Sequence, residues 1–122
     1  MPYKTYKVEG SVKNYVGNQM DYLDKKTDLK KSHKILAAEG IFPHEGGNKV
    51  KIELLDSRYK IIQTNNNGEF EVRLKPGKYT FFLIKGQQAY LNHFDGFGNF
   101  RYLDLKDDVK QYIIKDFDNA YF

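Results

Sequence analysis

The sequence predicts an all-β protein, a two-sheet antiparallel sandwich of seven to nine short strands. Three observations predict it. Apolar residues recur at every second position, not at helical spacing. Clusters of Gly, Pro, Asn and Asp punctuate these runs at short intervals. One unbroken run, Thr64 to Leu83, reads as strand, turn, strand, turn, strand: Asn65-Asn66-Asn67-Gly68, then alternating Phe70, Val72 and Leu74, then Pro76-Gly77, then Tyr79-Thr80-Phe81-Phe82-Leu83. Short strands with one apolar face, cornered in this way, bury that face by stacking as two sheets.

The elements follow in order. Tyr6, Val8, Gly10 and Val12 alternate with Lys7, Glu9, Ser11 and Lys13 as a first strand. Gly17-Asn18 marks a turn within a long polar loop at about 15–34, with room for a helical turn at 21–30. Ile35 to Phe42 fits either a strand or a short helix; its brevity, and Pro43 and Gly46-Gly47 after it, favour a strand. Val50, Ile52 and Leu54 alternate with Lys51 and Glu53 as a half-buried strand, and Asp56-Ser57-Arg58 turns into a strand at 59–64. In the central run the Asn side chains can bond their own backbone, and Gly68 supplies a positive φ. Pro76 presets the next corner, with Gly77 expected in the left-handed position of a type II turn. Tyr79 can then fold back on the sandwich end, where its hydroxyl needs a backbone partner.

Tyr79 to Ile84 is apolar on both faces, which predicts a central strand covered by the other sheet on one side and by a loop or partner on the other. Ala89 to Phe94 and Phe100 to Leu105 flank a turn at Asp95-Gly96-Phe97-Gly98-Asn99, and Lys106-Asp107-Asp108 is a further turn. Val109 to Phe117 makes the last strand, with Ile113 and Phe117 on one face and Tyr112 and Ile114 on the other.

At 122 residues the chain is expected to be one domain, 1–122, large enough to bury a core without a metal or a disulfide. It has no cysteine, which excludes disulfides, thiolate metal sites and thiol catalysis. Its 20 basic and 16 acidic residues leave a dispersed +4. The densest basic stretch, Lys25, Lys26, Lys30, Lys31 and Lys34, is interrupted by Asp24 and Asp28 and reads as a solvated loop, so nucleic acid is not expected as a partner. No stretch approaches a membrane span, and Met1 to Lys7 lacks the apolar core of a signal peptide.

Thr64 to Leu83 resembles the central signature of the carboxypeptidase-regulatory-like domains, which share the transthyretin (prealbumin)-like sandwich: Thr, a run of Asp or Asn, Gly, an aromatic, alternating aliphatics, Pro-Gly and an aromatic strand. More of the chain is similar to a narrower group of bacterial, often exported proteins. Gly10-Ser11-Val12, Gly17-Asn18-Gln19-Met20, the segment Tyr90 to Phe100 and the tail Asp118-Asn119-Ala120-Tyr121-Phe122 carry that similarity. The resemblance implies a noncatalytic structural or binding module located in the periplasm or cell envelope.

Catalysis is not expected. The 5-hydroxyisourate hydrolases of the same sandwich end in Tyr-Arg-Gly-Ser, whereas this chain ends Asn119-Ala120-Tyr121-Phe122. A small transthyretin-like hydrolase is therefore the weaker alternative, and Ser32 beside His33 is a weak hint of a nucleophilic triad, since sequence neighbours seldom point at each other. No cofactor is expected. Calcium is the one ion the pattern leaves open, at Asn65, Asn67, Glu69 and Glu71 or at Asp95 to Asn99, and each place reads better as a plain turn. His33, His44 and His93 lack paired spacing for zinc. Tyr15, Tyr22, Tyr59, Tyr90, Phe94, Phe97, Phe100 and Tyr102 exceed what the core needs and suit a protein or glycan partner. The expected ligand or partner surface is Tyr90, Asn92, His93, Phe94, Asp95, Phe97 and Asn99.

Overall fold

A computed structural model describes residues 4–18, 26–27, 31–44 and 47–121, with side chains undescribed at 15–18, 26–27 and 117–121. Among the described residues, ten strands form a four-stranded and a six-stranded sheet that face each other. In the smaller sheet, β1 (Tyr6–Asn18) is central. It pairs with β10 (Val109–Tyr121) on one side, and with β6 (Glu69–Leu74) and β2 (Lys26–Thr27) on the other. The larger sheet has the order β4 (Lys49–Lys51), β8 (Gln88–Tyr90), β7 (Gly77–Lys85), β3 (Lys34–Glu39), β5 (Tyr59–Gln63), and β9 (Leu103–Leu105) also pairs with β7.

Every ladder is antiparallel except β1–β10, where the first and last strands run side by side and the rest of the chain is the crossover. Between Val8–Gly10 and again between Asn14–Val16, β10 inserts one more residue than β1. The first bulge places Gln111 at φ 63, a left-handed conformation unusual for a residue with a side chain. There Gly10 lies so close to β10 that a Cβ would fall 2.1 Å from the Tyr112 carbonyl oxygen and 2.7 Å from Phe70 Cζ.

The inner faces make the core. The Phe81 ring of β7 meets Phe70 of β6 at 6.0 Å and Tyr112 of β10 at 5.2 Å. Val8, Val12, Ile35, Val72, Leu83 and Ile114 fill the space around them. The double-sided strand expected at 79–84 is present: Tyr79 through Leu83 are all buried. Its outer face is covered by loop, as Phe82 packs edge-on against Phe42 at 5.7 Å and Phe100 at 5.1 Å. Thr80, buried on that same face, donates its hydroxyl to the Gly40 carbonyl at 2.9 Å. Tyr79 folds back as expected and donates its hydroxyl to the Lys75 carbonyl at 2.7 Å. Gly77 takes φ 153, more extended than a type II corner, and is already the first residue of β7.

Three local readings change. Gly17-Asn18 is not a turn: both residues stay in the β1–β10 ladder, and Lys26–Thr27 pair with Tyr15 and Val16. Strand thus enters the 15–34 segment read as loop, while 19–25 and 28–30, where a helical turn was expected, lie outside the described residues. The strand expected through Leu54 stops at Lys51 and continues as a 3₁₀ turn, Ile52–Leu54. Edge strand β4 has only three partner residues on β8, and past them the Ile52 N–H bonds Gln87. At 3₁₀ spacing Ile52 and Leu55 share the half-buried side and Leu54 is 74% exposed. Finally, the segments 89–94 and 100–105 shorten to β8 and β9. They pair end to end along one edge of β7 instead of forming one continuous hairpin.

Candidate functional site

The segment between β8 and β9 leaves the sheet and folds over its outer face. The Leu91 N–H bonds Asn48, the Arg101 N–H bonds His93, and Phe94 bridges Phe100. The tip docks on 42–44 through hydrogen bonds from the His44 N–H to the Gly98 carbonyl (3.1 Å) and from the Phe100 N–H to the Phe42 carbonyl (2.8 Å).

The tip repeats the turn that joins β5 to β6. In that first turn Asn65 Oδ1 accepts the N–H groups of Asn67 and Glu69, both at 2.9 Å. The Asn65 N–H closes onto the Glu69 carbonyl, and Gly68 takes φ 79. In the second, Asp95 Oδ1 accepts the N–H groups of Phe97 (2.7 Å) and Asn99 (3.1 Å), the Asp95 N–H closes onto the Asn99 carbonyl, and Gly98 takes φ 91. Each turn has a side-chain tie across its base: Asn65 Nδ2 to Glu69 Oε1 at 3.0 Å, and Asn99 Nδ2 to Asp95 Oδ2 at 3.1 Å. This is one five-residue solution to a tight reversal, used twice. Asn65 Oδ1 and Glu69 Oε1 in the first turn, and both Asp95 carboxylate oxygens in the second, are engaged in these bonds. Among the described residues no three His, Asp or Glu side chains converge.

The bond from the Phe97 N–H, followed by those from the Asn99 side chain and N–H, holds the Asp95 carboxyl below its ordinary value of 3.8. A carboxyl depressed on folding contributes stability above its unfolded value and loses it as pH falls through the folded one. The expected NMR titration of Asp95 therefore has its midpoint below 3.8, and the Phe97 and Asn99 amides lose protection only in that acid range. A midpoint at or above the ordinary value would show that the brace is not formed in solution.

The expected surface residues divide by role. Phe97 is 88% exposed and Phe94 45% exposed, with Phe94 resting on His44 (4.5 Å) and on the buried Phe100 (5.7 Å). Asp95 and Asn99 build the turn. Asn92 Oδ1 holds Asn48 Nδ2 at 2.8 Å. Half-buried His93 has Nδ1 3.2 Å from Arg101 Nη1, and burial, followed by the Arg101 and Lys115 charges, lowers its pKa. Arg101 also donates to the Ile113 carbonyl and stacks over the Tyr112 ring at 4.4 Å, which ties the loop to β10.

Tyr90 is a correction. It is 4% exposed, its ring points between the sheets, and its hydroxyl donates to Asp116 Oδ2 at 3.0 Å. It pairs with Leu83 in β8, so it takes the inward parity of β7 and offers no surface to a partner. Of the other aromatic candidates, Phe100 is fully buried and Tyr59 is exposed on β5, while the side chains of Tyr15 and Tyr22 lie outside the described residues.

Sequence reasoning missed a buried polar cluster. Asn14 and Asp116 are cross-strand partners on β1 and β10, each 2% exposed. His33 Nε2 lies 2.7 Å from Asn14 Oδ1, the His33 N–H bonds Thr64 Oγ1, and burial lowers the His33 pKa against the opposing charge of Asp116. The signal was available: Asn14 continues the inward series Val8, Gly10, Val12, and Asp116 continues Tyr112, Ile114. His33 bonds the amide and Tyr90 bonds the carboxylate, so the cluster pins the two sheets together.

No family model, no curated protein and no solved structure matches the chain.

Proposed function

We propose that the protein is a noncatalytic binding module whose partner docks on Phe94 and Phe97. One observation carries this reading. The two five-residue turns are built alike, and the position of Phe97 in one is held by Asn67 in the other. The turn uses only the backbone N–H of that residue, so the geometry does not require a phenyl ring there. A large apolar side chain 88% exposed on a braced loop serves contact with something outside the molecule. A flat apolar ring suits a sugar face or an apolar peptide side chain. The resemblance of Thr64 to Leu83 to the carboxypeptidase-regulatory-like signature supports placing the module in the bacterial cell envelope, on a transthyretin-like sandwich.

The test is a glycan array and a displayed peptide library probed with the parent protein and with Phe97→Ala. A hit in one of them is expected to weaken at least tenfold in the variant with no change in melting temperature, as an exposed ring adds little to folding. A hit that Phe97→Ala leaves unchanged would refute this surface. Two blank screens would count against a sugar or peptide partner.

A further inference from the structure

We infer that the protein binds a small anionic amphiphile, an apolar body with a carboxylate head, in a second site between the free edges of the two sheets. This site lies apart from the Phe94–Phe97 loop and does not depend on it. β5 ends the larger sheet and β6 flanks β1 in the smaller one. The Asn65 turn joins them at one end. At the other, where β5 begins and β6 finishes, the edges enclose a cleft of about 280 Å³.

Its lining is of two kinds. Ala37, Leu74 and Tyr79, all buried, supply apolar lining, and Tyr59, 46% exposed, adds an aromatic surface at the mouth. Charge surrounds them: Arg58 and Lys60 come from the β5 side, Arg73 and Lys75 from the β6 side, and Glu39 is the only carboxylate in the lining. Along β1, by contrast, opposite charges alternate, and Lys7 and Glu9 pair at 2.8 Å. Here cationic residues of both sheets line one cleft, and among the described residues Arg58, Lys60 and Arg73 make no ion pair. Like charges gathered round an apolar cleft repel one another, and an anion entering between them relieves that repulsion while its body covers the apolar lining. The cleft is at the small end of ligand sites, which limits the body to a medium-length acyl chain or one aromatic ring.

The probe is octanoate, followed by NMR on the methyl groups of Leu74 and Ala37 in the full chain, with 1-octanol as the uncharged control. Saturable shifts at these methyls are expected with a Kd of about a millimolar, the level a ligand of this size reaches. Octanol should bind at least tenfold more weakly. The double variant Arg58→Gln with Arg73→Gln should lose at least tenfold for octanoate and keep its affinity for octanol. Both arginines are exposed lining residues, and an unchanged spectrum elsewhere verifies the fold. The inference is overturned if octanoate shifts do not saturate, if octanol binds as well as octanoate, if the double variant binds octanoate unchanged, or if the shifts fall on Phe94 and Phe97 instead.

Discussion

Replacing Gly10 by alanine is expected to destabilise the protein by about 3–5 kcal/mol, a large part of the about 5–15 kcal/mol that a domain commands. The added carbon would fall 2.1 Å from the Tyr112 carbonyl oxygen, a backbone atom that moves only if the β1–β10 ladder parts. It would also strike Phe70 Cζ at 2.7 Å, and Phe70 is held from below by Phe81. Thermal unfolding followed by circular dichroism should show a midpoint lower by about 10–20 °C. Gly86→Ala is the comparison: nothing lies within 4 Å of its added carbon, and only its φ of 62 opposes the change. It should cost about 1 kcal/mol. Adding Phe70→Leu to Gly10→Ala should recover only a part, because the clash with the carbonyl remains. A Gly10→Ala protein that melts with the parent would show that the close approach of β1 and β10 is wrong.

Phe100→Ala carries the second large effect, about 3–5 kcal/mol, because it empties a fully buried aromatic site. Phe100 lies under Phe94 and His44 and against Phe82, so it joins the loop layer to the outer face of β7. The loss should be uneven. Hydrogen exchange should show amides of 93–101 opening first, while the β1 and β7 amides keep protection closer to the reduced global limit. Any ligand bound through Phe97 should be lost in parallel, since its platform loses the floor. Phe81→Ala, which touches Phe70 and Tyr112 between the sheets, should lower protection throughout. Equal protection losses for the two variants would mean that the loop and the sandwich unfold as one unit.

Local chemistry was legible. The Asn65 and Asp95 turns follow from a short side-chain acceptor and a glycine three residues later, and both ends of each bond lie within five residues. β6 alternates without interruption, and the match of Phe70, Val72 and Leu74 to the inner face needs no knowledge of what they face. The need of the Tyr79 hydroxyl for a backbone partner was legible for the same reason, and the Lys75 carbonyl on the other side of that corner supplies it. Val50 to Leu54 shows where such reasoning stops. The alternation was real, but a strand exists only where a partner supplies hydrogen bonds, and β8 supplies three residues. Tyr90 shows the same limit for the site. Phe94 and Phe97 in the same segment are exposed, whereas parity within the β7–β8 ladder sent the Tyr90 ring inward.

From the chain alone came the all-β class, the Asn65 and Asp95 turns and the double-sided strand read at 79–84. Each of these rests on contacts between residues close in sequence or on a periodicity that one strand carries by itself. Tertiary structure alone decided that β1 and β10 pair in parallel and that Gly10 must have no side chain. It also decided that Asn14, His33, Tyr90 and Asp116 meet in the interior, and that Arg58 and Arg73 share a cleft. These are meetings between segments that only the stacked sheets bring together, and register and distance across a sheet are set by partners that a strand's own sequence does not specify.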